Sequence, residues 1–289
     1  MLVKLPYLVL LISLFSSWIH SEEFECGVSN FGSVDNRVVS GDLCKRGELP
    51  WIAFTRTCTA SIISRNYVLT AGHCVDDDVR EITVGFGVAG KNDPEAIKMT
   101  SKNIIRHEKN RRCKSKGTGK VPLFDIAVIE LTRSLNFSEY VNSICLKKSS
   151  EENSNRTALI SGFGWNKFVQ APLPPGDAKD EKLRRGTAKF VGSEECRKDW
   201  SAVEECISEV PLLCAKGEHG VDVYIGDSGG PISVKNEKRN DGKTQWMQVG
   251  VTSFVDVEAF QFRPSVFTPV TSYCDWITEA TKGEVKCID

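Results

Sequence analysis

Gly226-Asp227-Ser228-Gly229-Gly230-Pro231 decides how this chain of 289 residues is read. A serine hydroxyl is a weak nucleophile until a base takes its proton. It also needs N–H groups aimed at the oxygen on which charge develops. Glycines around a serine let the backbone turn tightly and bring its N–H groups to one point. The stretch reads as a nucleophile, Ser228, with an oxyanion hole built from backbone N–H groups. It requires a histidine and an aspartate elsewhere.

Both are present. Thr70-Ala71-Gly72-His73-Cys74 carries one of four histidines, and Phe124-Asp125-Ile126-Ala127-Val128-Ile129-Glu130-Leu131 sets an aspartate at the head of an apolar run. A carboxylate placed in apolar sequence needs a partner, because burying an unpaired charge is costly. The order His73, Asp125, Ser228, with a cysteine next to the histidine, resembles the chymotrypsin/trypsin family of serine proteases. The resemblance implies that Ser228 attacks a peptide carbonyl, His73 shuttles the proton, Asp125 holds the imidazole and the N–H groups of Gly226 and Ser228 stabilise the oxyanion. It requires no cofactor and no metal.

Outward from these motifs, short apolar runs separated by Gly, Asn, Asp and Pro recur. Trp51–Phe54, Ala60–Ile63, Tyr67–Leu69, Ile82–Val84, Ala158–Ile160, Ile232–Val234 and Val249–Phe254 are examples. Such a pattern marks an all-β sandwich or barrel. The family resemblance narrows it to two six-stranded antiparallel β-barrels with the active site between them. One helix is expected near the end. Tyr273, Trp276, Ile277 and Ala280 share a face, Ser272 is placed to cap it and Gly283 to end it. Arg106–Lys120 and Val169–Gly186 read as surface loops.

Charge is balanced, with 37 basic and 38 acidic residues, which gives no reason to expect nucleic acid or a membrane as partner. A monomer is expected. Residues 1–21 read as a secretory signal, with Lys4 ahead of a short apolar core, Leu8-Val9-Leu10-Leu11-Ile12-Ser13-Leu14-Phe15. That run is too short to span a bilayer comfortably. Eleven cysteines in a secreted chain imply disulfides, whose pairing spacing alone does not give. The resemblance implies three pairs: Cys58 with Cys74, Cys196 with Cys214 and Cys26 with Cys145. Cys44, Cys113, Cys206, Cys274 and Cys287 remain. Five is odd, so at least one is free or pairs with another molecule. The family's frequent cysteine near the nucleophile is replaced by Tyr224, so no disulfide brace is expected on the pocket wall.

Arg37-Val38-Val39-Ser40-Gly41 resembles the family's activation site. The resemblance divides the chain into a propeptide at 22–37 and a protease domain at 38–289. An activating protease would cut after Arg37, and the amine of Val38 would pair with Asp227. Asp222, six residues before the nucleophile, falls at the floor of the substrate pocket in the family. A carboxylate there favours Arg or Lys before the scissile bond. The walls oppose this: Ser253-Phe254-Val255 and Pro264-Ser265-Val266 put Val255 and Ser265 where the family has glycines, which favours small residues. Seven basic residues between Arg106 and Lys120 suit acidic substrate residues or a sulfated polysaccharide, or form a solvated face. Asn136-Phe-Ser138 and Asn155-Arg-Thr157 are glycosylation sequons. Gly85-Phe-Gly87-Val-Ala-Gly90 lacks the helix a nucleotide site needs, and His107, Glu108 and Cys113 match no metal-ligand spacing. Peptide or protein is the expected substrate. A silent relative that binds a partner through the same cleft, and a protein whose main role is adhesion or scaffolding, are the rival readings.

Overall fold

The computed structural model describes residues 24–29, 41–75, 78–115, 119–149, 156–165, 181–256 and 262–289. The signal sequence, Arg37, Val38, Lys116, Asn155 and residues 169–180 lie outside them. Chain order opens with β1 (Asp42–Leu43), β2 (Ile52–Phe54), β3 (Thr59–Ile62), β4 (Tyr67–Thr70) and β5 (Thr83–Phe86). It continues with β6 (Ile97–Arg106), β7 (Arg111–Ser115), β8 (Gly119–Leu123) and β9 (Ala127–Leu131). The second half holds β10 (Cys145–Leu146), β11 (Thr157–Gly162), β12 (Arg184–Val191), β13 (Leu213–Gly217), β14 (Pro231–Lys235), β15 (Trp246–Phe254) and β16 (Ser265–Pro269). The helices are α1 (Ser193–Asp199), α2 (Glu204–Ile207) and α3 (Cys274–Ala280).

The strands close into two six-stranded antiparallel barrels. The first runs β2-β3-β4-β9-β6-β5. The second runs β12-β11-β14-β15-β16-β13 and returns to β12, with β1 and β10 added at its margins. Ala53, Ile62, Val68, Val84, Phe86 and Ile129 fill the first barrel. Ile160, Ala188, Ala215, Ile232, Met247 and Phe267 fill the second. A third cluster lies where the barrels meet α3: Trp51, Leu69, Ile126, Leu159, Val251 and Ile277 are all within it. Each such side chain adds roughly 1.5–3 kcal/mol when removed from water. The seam between barrels is therefore a packed core, and it fixes the cleft above it.

Three expectations need correction. Arg106–Lys120 is not a plain loop: β7 and β8 form a two-stranded hairpin within it, with Cys113 opposite Val121. Of Val169–Gly186, Arg184–Gly186 already belong to β12. Ser272 does not cap the last helix, because a single 3-10 turn, Val270–Tyr273, precedes α3 and no side chain caps α3. Gly283 ends it in the left-handed region at φ 85°, its N–H on the Thr278 carbonyl at 2.8 Å.

Five disulfides link the described residues. Cys26–Cys145, Cys58–Cys74 and Cys196–Cys214 are joined by Cys113–Cys206 and Cys274–Cys287. Cys44 is the buried free thiol.

Candidate active site

The histidine and aspartate meet at the mouth of the first barrel. His73 sits in a single 3-10 turn, Gly72–Cys74, directly after β4. Asp125 sits in the turn between β8 and β9. Its carboxylate accepts the backbone N–H of His73 at 2.8 Å and lies 2.8 Å from Nδ1. Asp125 is 2 % exposed, so this pairing takes place out of water. Two contacts from the second barrel complete it. Ser253 donates its hydroxyl to Asp125 Oδ2 at 2.5 Å, and Thr268 donates to the Asp125 carbonyl at 2.9 Å. The carboxylate holds Nδ1, which leaves Nε2 on the far side of the ring from Asp125.

The turn that presents Asp125 is held under strain. Phe124 has φ 49°, unusual for a bulky residue, and its ring stacks on His107 at 5.3 Å. The Asn110 side chain donates to the carbonyls of Leu123 and Phe124 at 3.0 and 3.1 Å. That amide also lies against Gly72, where a Cβ would meet its nitrogen at 2.6 Å. One side chain thus props both the histidine turn and the aspartate turn.

Ser228 enters from the second barrel. Thr59 of β3 donates its N–H to the Ser228 carbonyl at 2.9 Å and its hydroxyl to the Gly226 carbonyl at 2.9 Å. The sulfur of Cys74, next to His73, lies 3.6 Å from the same Ser228 carbonyl. Gly226 has φ 100° and Gly229 φ 83°, and a Cβ on Gly229 would fall 2.1 Å from the Thr70 hydroxyl. Glycine is needed at both. Among the described residues, neither the Gly226 nor the Ser228 N–H donates to a protein group. The segments that carry Ser228 and His73 meet through the Cys74 and Thr59 contacts, but the serine hydroxyl makes no hydrogen bond to the imidazole in this structure.

Asp227 turns the other way, into the protein. It accepts the N–H of Gly164 at 2.8 Å and of Tyr224 at 2.9 Å. Desolvation pushes its carboxyl up to about 6, against those two bonds and the charge of Lys91. Asp222 accepts from Ser265 Oγ at 2.8 Å, from the Val223 N–H at 2.8 Å and from the Gly217 N–H at 3.2 Å. Burial pushes it up as well. Ser265 therefore covers one face of Asp222. Val255 packs on the core of the second barrel. Ser253 spends its hydroxyl on Asp125.

Asn136 is exposed, as a glycan acceptor must be. Cys113 is consumed in a disulfide, as are Cys58 and Cys74 beside His73. Sequence reasoning missed Thr59, Asn110 and Thr268. No local signal marks them, since each acts only after distant segments meet.

Comparison with known proteins fits this geometry. The trypsin family model matches residues 38–277. Human chymotrypsin-like elastase family member 3A is 31% identical over 265 residues, covering 84% of this chain and 88% of its own length. Human transmembrane protease serine 11A is 29% identical over 255 residues, 85% of this chain. The match spans only 56% of that relative. The CLIP domain-containing serine protease B10 of Anopheles gambiae is 29% identical over 285 residues, covering 89% of this chain and 72% of its own length. A solved structure of neuropsin, described as a serine protease expressed in the limbic system of mouse brain, superposes with a TM-score of 0.64 at 21% identity. It covers 84% of this chain and 100% of that one, a likeness of fold.

Proposed function

Because the chain belongs to the trypsin family of serine proteases, we propose that it is a secreted serine endopeptidase made as an inactive precursor. One observation carries the reading. An imidazole held by a buried carboxylate lies beside a serine segment in which, among the described residues, the N–H groups of Gly226 and Ser228 donate to no protein group. In this reading Ser228 Oγ attacks the peptide carbonyl and His73 Nε2 takes its proton. The N–H groups of Gly226 and Ser228 hold the oxyanion, each worth about 3 kcal/mol in the transition state. His73 then gives the proton to the leaving amine, and water repeats the attack on the acyl-enzyme. Asp125 orients the imidazole and stabilises the imidazolium. The absence of a Ser228–His73 bond before substrate enters does not weigh against these roles, because such bonds tighten only when the complex forms.

Cleavage after Arg37 would release the amine of Val38 to pair with Asp227. A buried carboxylate raised to about 6 is an unfavourable charge in the uncut chain, and a new ammonium is the partner it calls for. The expected leader at 1–21 and the disulfides support secretion. Among the described residues, no helix is long and apolar enough to cross a membrane. A glycan on Asn136 is consistent with its exposure.

Asp222 directs cleavage to Arg or Lys in this reading. The Ser265 hydroxyl on Asp222 favours a second one, in which the pocket takes small residues and the carboxylate stays covered. Cleavage-site profiling of a peptide mixture, with protein cut after Arg37 and Ser228→Ala as control, separates them. Cuts after Arg or Lys support the first. Cuts after small residues support the second. No cut above the control ends both.

A further inference from the structure

His107 is a buried titratable side chain that the proposed chemistry does not use. It directly follows β6 and is 8 % exposed. Its ring stacks on Phe124 with centroids 5.3 Å apart, meets Tyr273 edge-on at 5.3 Å and lies 5.2 Å from the Trp276 ring. Its backbone N–H donates to the Ile126 carbonyl at 3.1 Å, and its carbonyl accepts the N–H of Asn110 at 2.8 Å. Nδ1 accepts the N–H of Lys109 at 3.2 Å. A ring nitrogen that accepts an N–H carries no hydrogen, so the imidazole in this arrangement is neutral with its proton on Nε2.

These bonds converge on the turn that presents Asp125. Ile126 donates its N–H to the Phe124 carbonyl at 2.9 Å, which closes a three-residue turn with Asp125 at its centre. The positive φ of Phe124 persists only while its surroundings over-determine it. Those surroundings are the His107 ring stacked on it and the Asn110 side chain on its carbonyl, with Lys109 and Arg111 near its ring at 5.8 and 5.6 Å. His107 and Asn110 are the two ends of one turn, which the Lys109 bond to Nδ1 ties across. A proton on Nδ1 would point at the Lys109 N–H and break that bond. The Glu108 carboxylate, 3.8 Å from Nδ1, is the acceptor it would turn to instead. Burial holds the imidazole below the usual histidine range, while Glu108 pulls it up and Lys109 pushes it down. The other elements packed on the ring bring Phe124 and Asp125 from the β8–β9 turn, Tyr273 from the 3-10 turn and Trp276 from α3, a helix that also carries Asp275 and Glu279. Asp125 is engaged with His73 and Ser253, and burial pushes the Tyr273 hydroxyl up to about 12, which keeps it neutral.

We propose that His107 is a positioning residue: its neutral imidazole braces the Asp125 turn, and its protonation releases the brace, so acid switches the site at a second histidine distinct from His73. This rests on the endopeptidase reading, so the first test requires no turnover. Full-length Ser228→Ala protein, labelled with nitrogen-15 and cut after Arg37, is titrated toward acid by NMR. The Asp125 amide should shift in two steps. One follows the His73 ring, and the other follows the His107 ring below about pH 6.5. His107→Asn keeps an acceptor for the Lys109 N–H, because an Asn side chain bonds the backbone two residues on, yet it has no proton to gain. In that variant the second step should vanish and the first remain. Glu108→Gln keeps the ring and removes the carboxylate that favours the imidazolium, so the second step should move to lower pH. An Asp125 amide that follows His73 alone overturns the proposal. So does a second step that survives in His107→Asn. Where His107→Asn does not fold, Glu108→Gln decides, and an unmoved second step overturns the proposal. The Ser228 protein carries the same signature in its kinetics. Below both transitions kcat/KM should fall about a hundredfold per pH unit, and about tenfold in His107→Asn, because one proton rather than two then silences the site. A tenfold fall in both overturns the brace and leaves the enzyme reading intact. Protein that never turns over ends the enzyme reading, while the NMR steps still decide the brace.

Discussion

Ser253 ties the second barrel to the carboxylate on which the imidazole depends. Its bond to Asp125 is a hydrogen bond to a charged group, worth roughly 1.5–3 kcal/mol. Through that bond it orients Asp125, which makes it a positioning residue. Ser253→Ala should lower kcat/KM by about tenfold or more, mainly in kcat, and Ser253→Thr should restore most of it. Steady-state kinetics on one peptide substrate read the split. Loss confined to KM would place Ser253 in substrate binding instead. Asp227 gives a second residue-level prediction. Its carboxyl is raised from 3.8 to about 6 in the uncut chain, first by desolvation, with Asp222 adding and Lys91 opposing. A raised native value means the native state keeps its proton longer than the unfolded chain does. The associated stability is full below the unfolded value and is lost as pH rises through about 6. Uncut Arg37→Ala protein should therefore lose Tm between about pH 4 and about pH 6 relative to the same protein carrying Asp227→Asn. Parallel Tm curves would contradict this. In cut protein, an ammonium seated on Asp227 removes the loss.

Among the elements, the β7–β8 hairpin is where sequence and structure part most. Its Lys, Arg and Gly content reads as a loop because the lysine stems and charges give no apolar alternation. What holds it is long-range: Cys113 meets Cys206 at a separation of 93 residues, and Val121 and Leu123 meet α2. Removing the bridge with Cys113→Ser/Cys206→Ser should cost about 2–4 kcal/mol, seen as a lower urea midpoint. An unchanged midpoint would mean that core packing alone holds the hairpin. By contrast, Ile126–Leu131 was plain in the sequence, because a short, mostly apolar run with Ile126, Val128 and Ile129 suits a strand buried on both faces, and β9 is buried at every position. The last helix was legible in its apolar face and its Gly283 stop, but not in its start. Ser272 looks like a cap locally, yet β16 leads through a 3-10 turn that no local rule foretells. Thr59 was invisible for the same reason. Its hydroxyl reaches Gly226 across 167 residues of sequence, and only the meeting of two barrels gives it that task.

At the scale of the molecule, two closed barrels meet along a packed seam, and the site straddles it. His73 and Asp125 belong to the first barrel and Ser228 to the second. Thr59, Ser253 and Thr268 are the polar stitches between them. The barrels and the three motifs were readable because the chemistry needs particular residue types in local stretches. The pocket was not, because its character depends on whether Ser265 covers Asp222 or yields it to a substrate. If Asp222 governs, Asp222→Ser should cut kcat/KM on Arg-containing substrates by about a hundredfold or more, as loss of a buried charge partner does. Little change would mean that the walls set the choice. The central claim is that Ser228 is an activated nucleophile, and a fluorophosphonate probe tests it most directly. Protein cut after Arg37 should gain a single phosphonate adduct, mapped by mass spectrometry to the peptide bearing Ser228 and lost in His73→Ala. No adduct on the cut protein, or an adduct that persists without His73, would contradict the account.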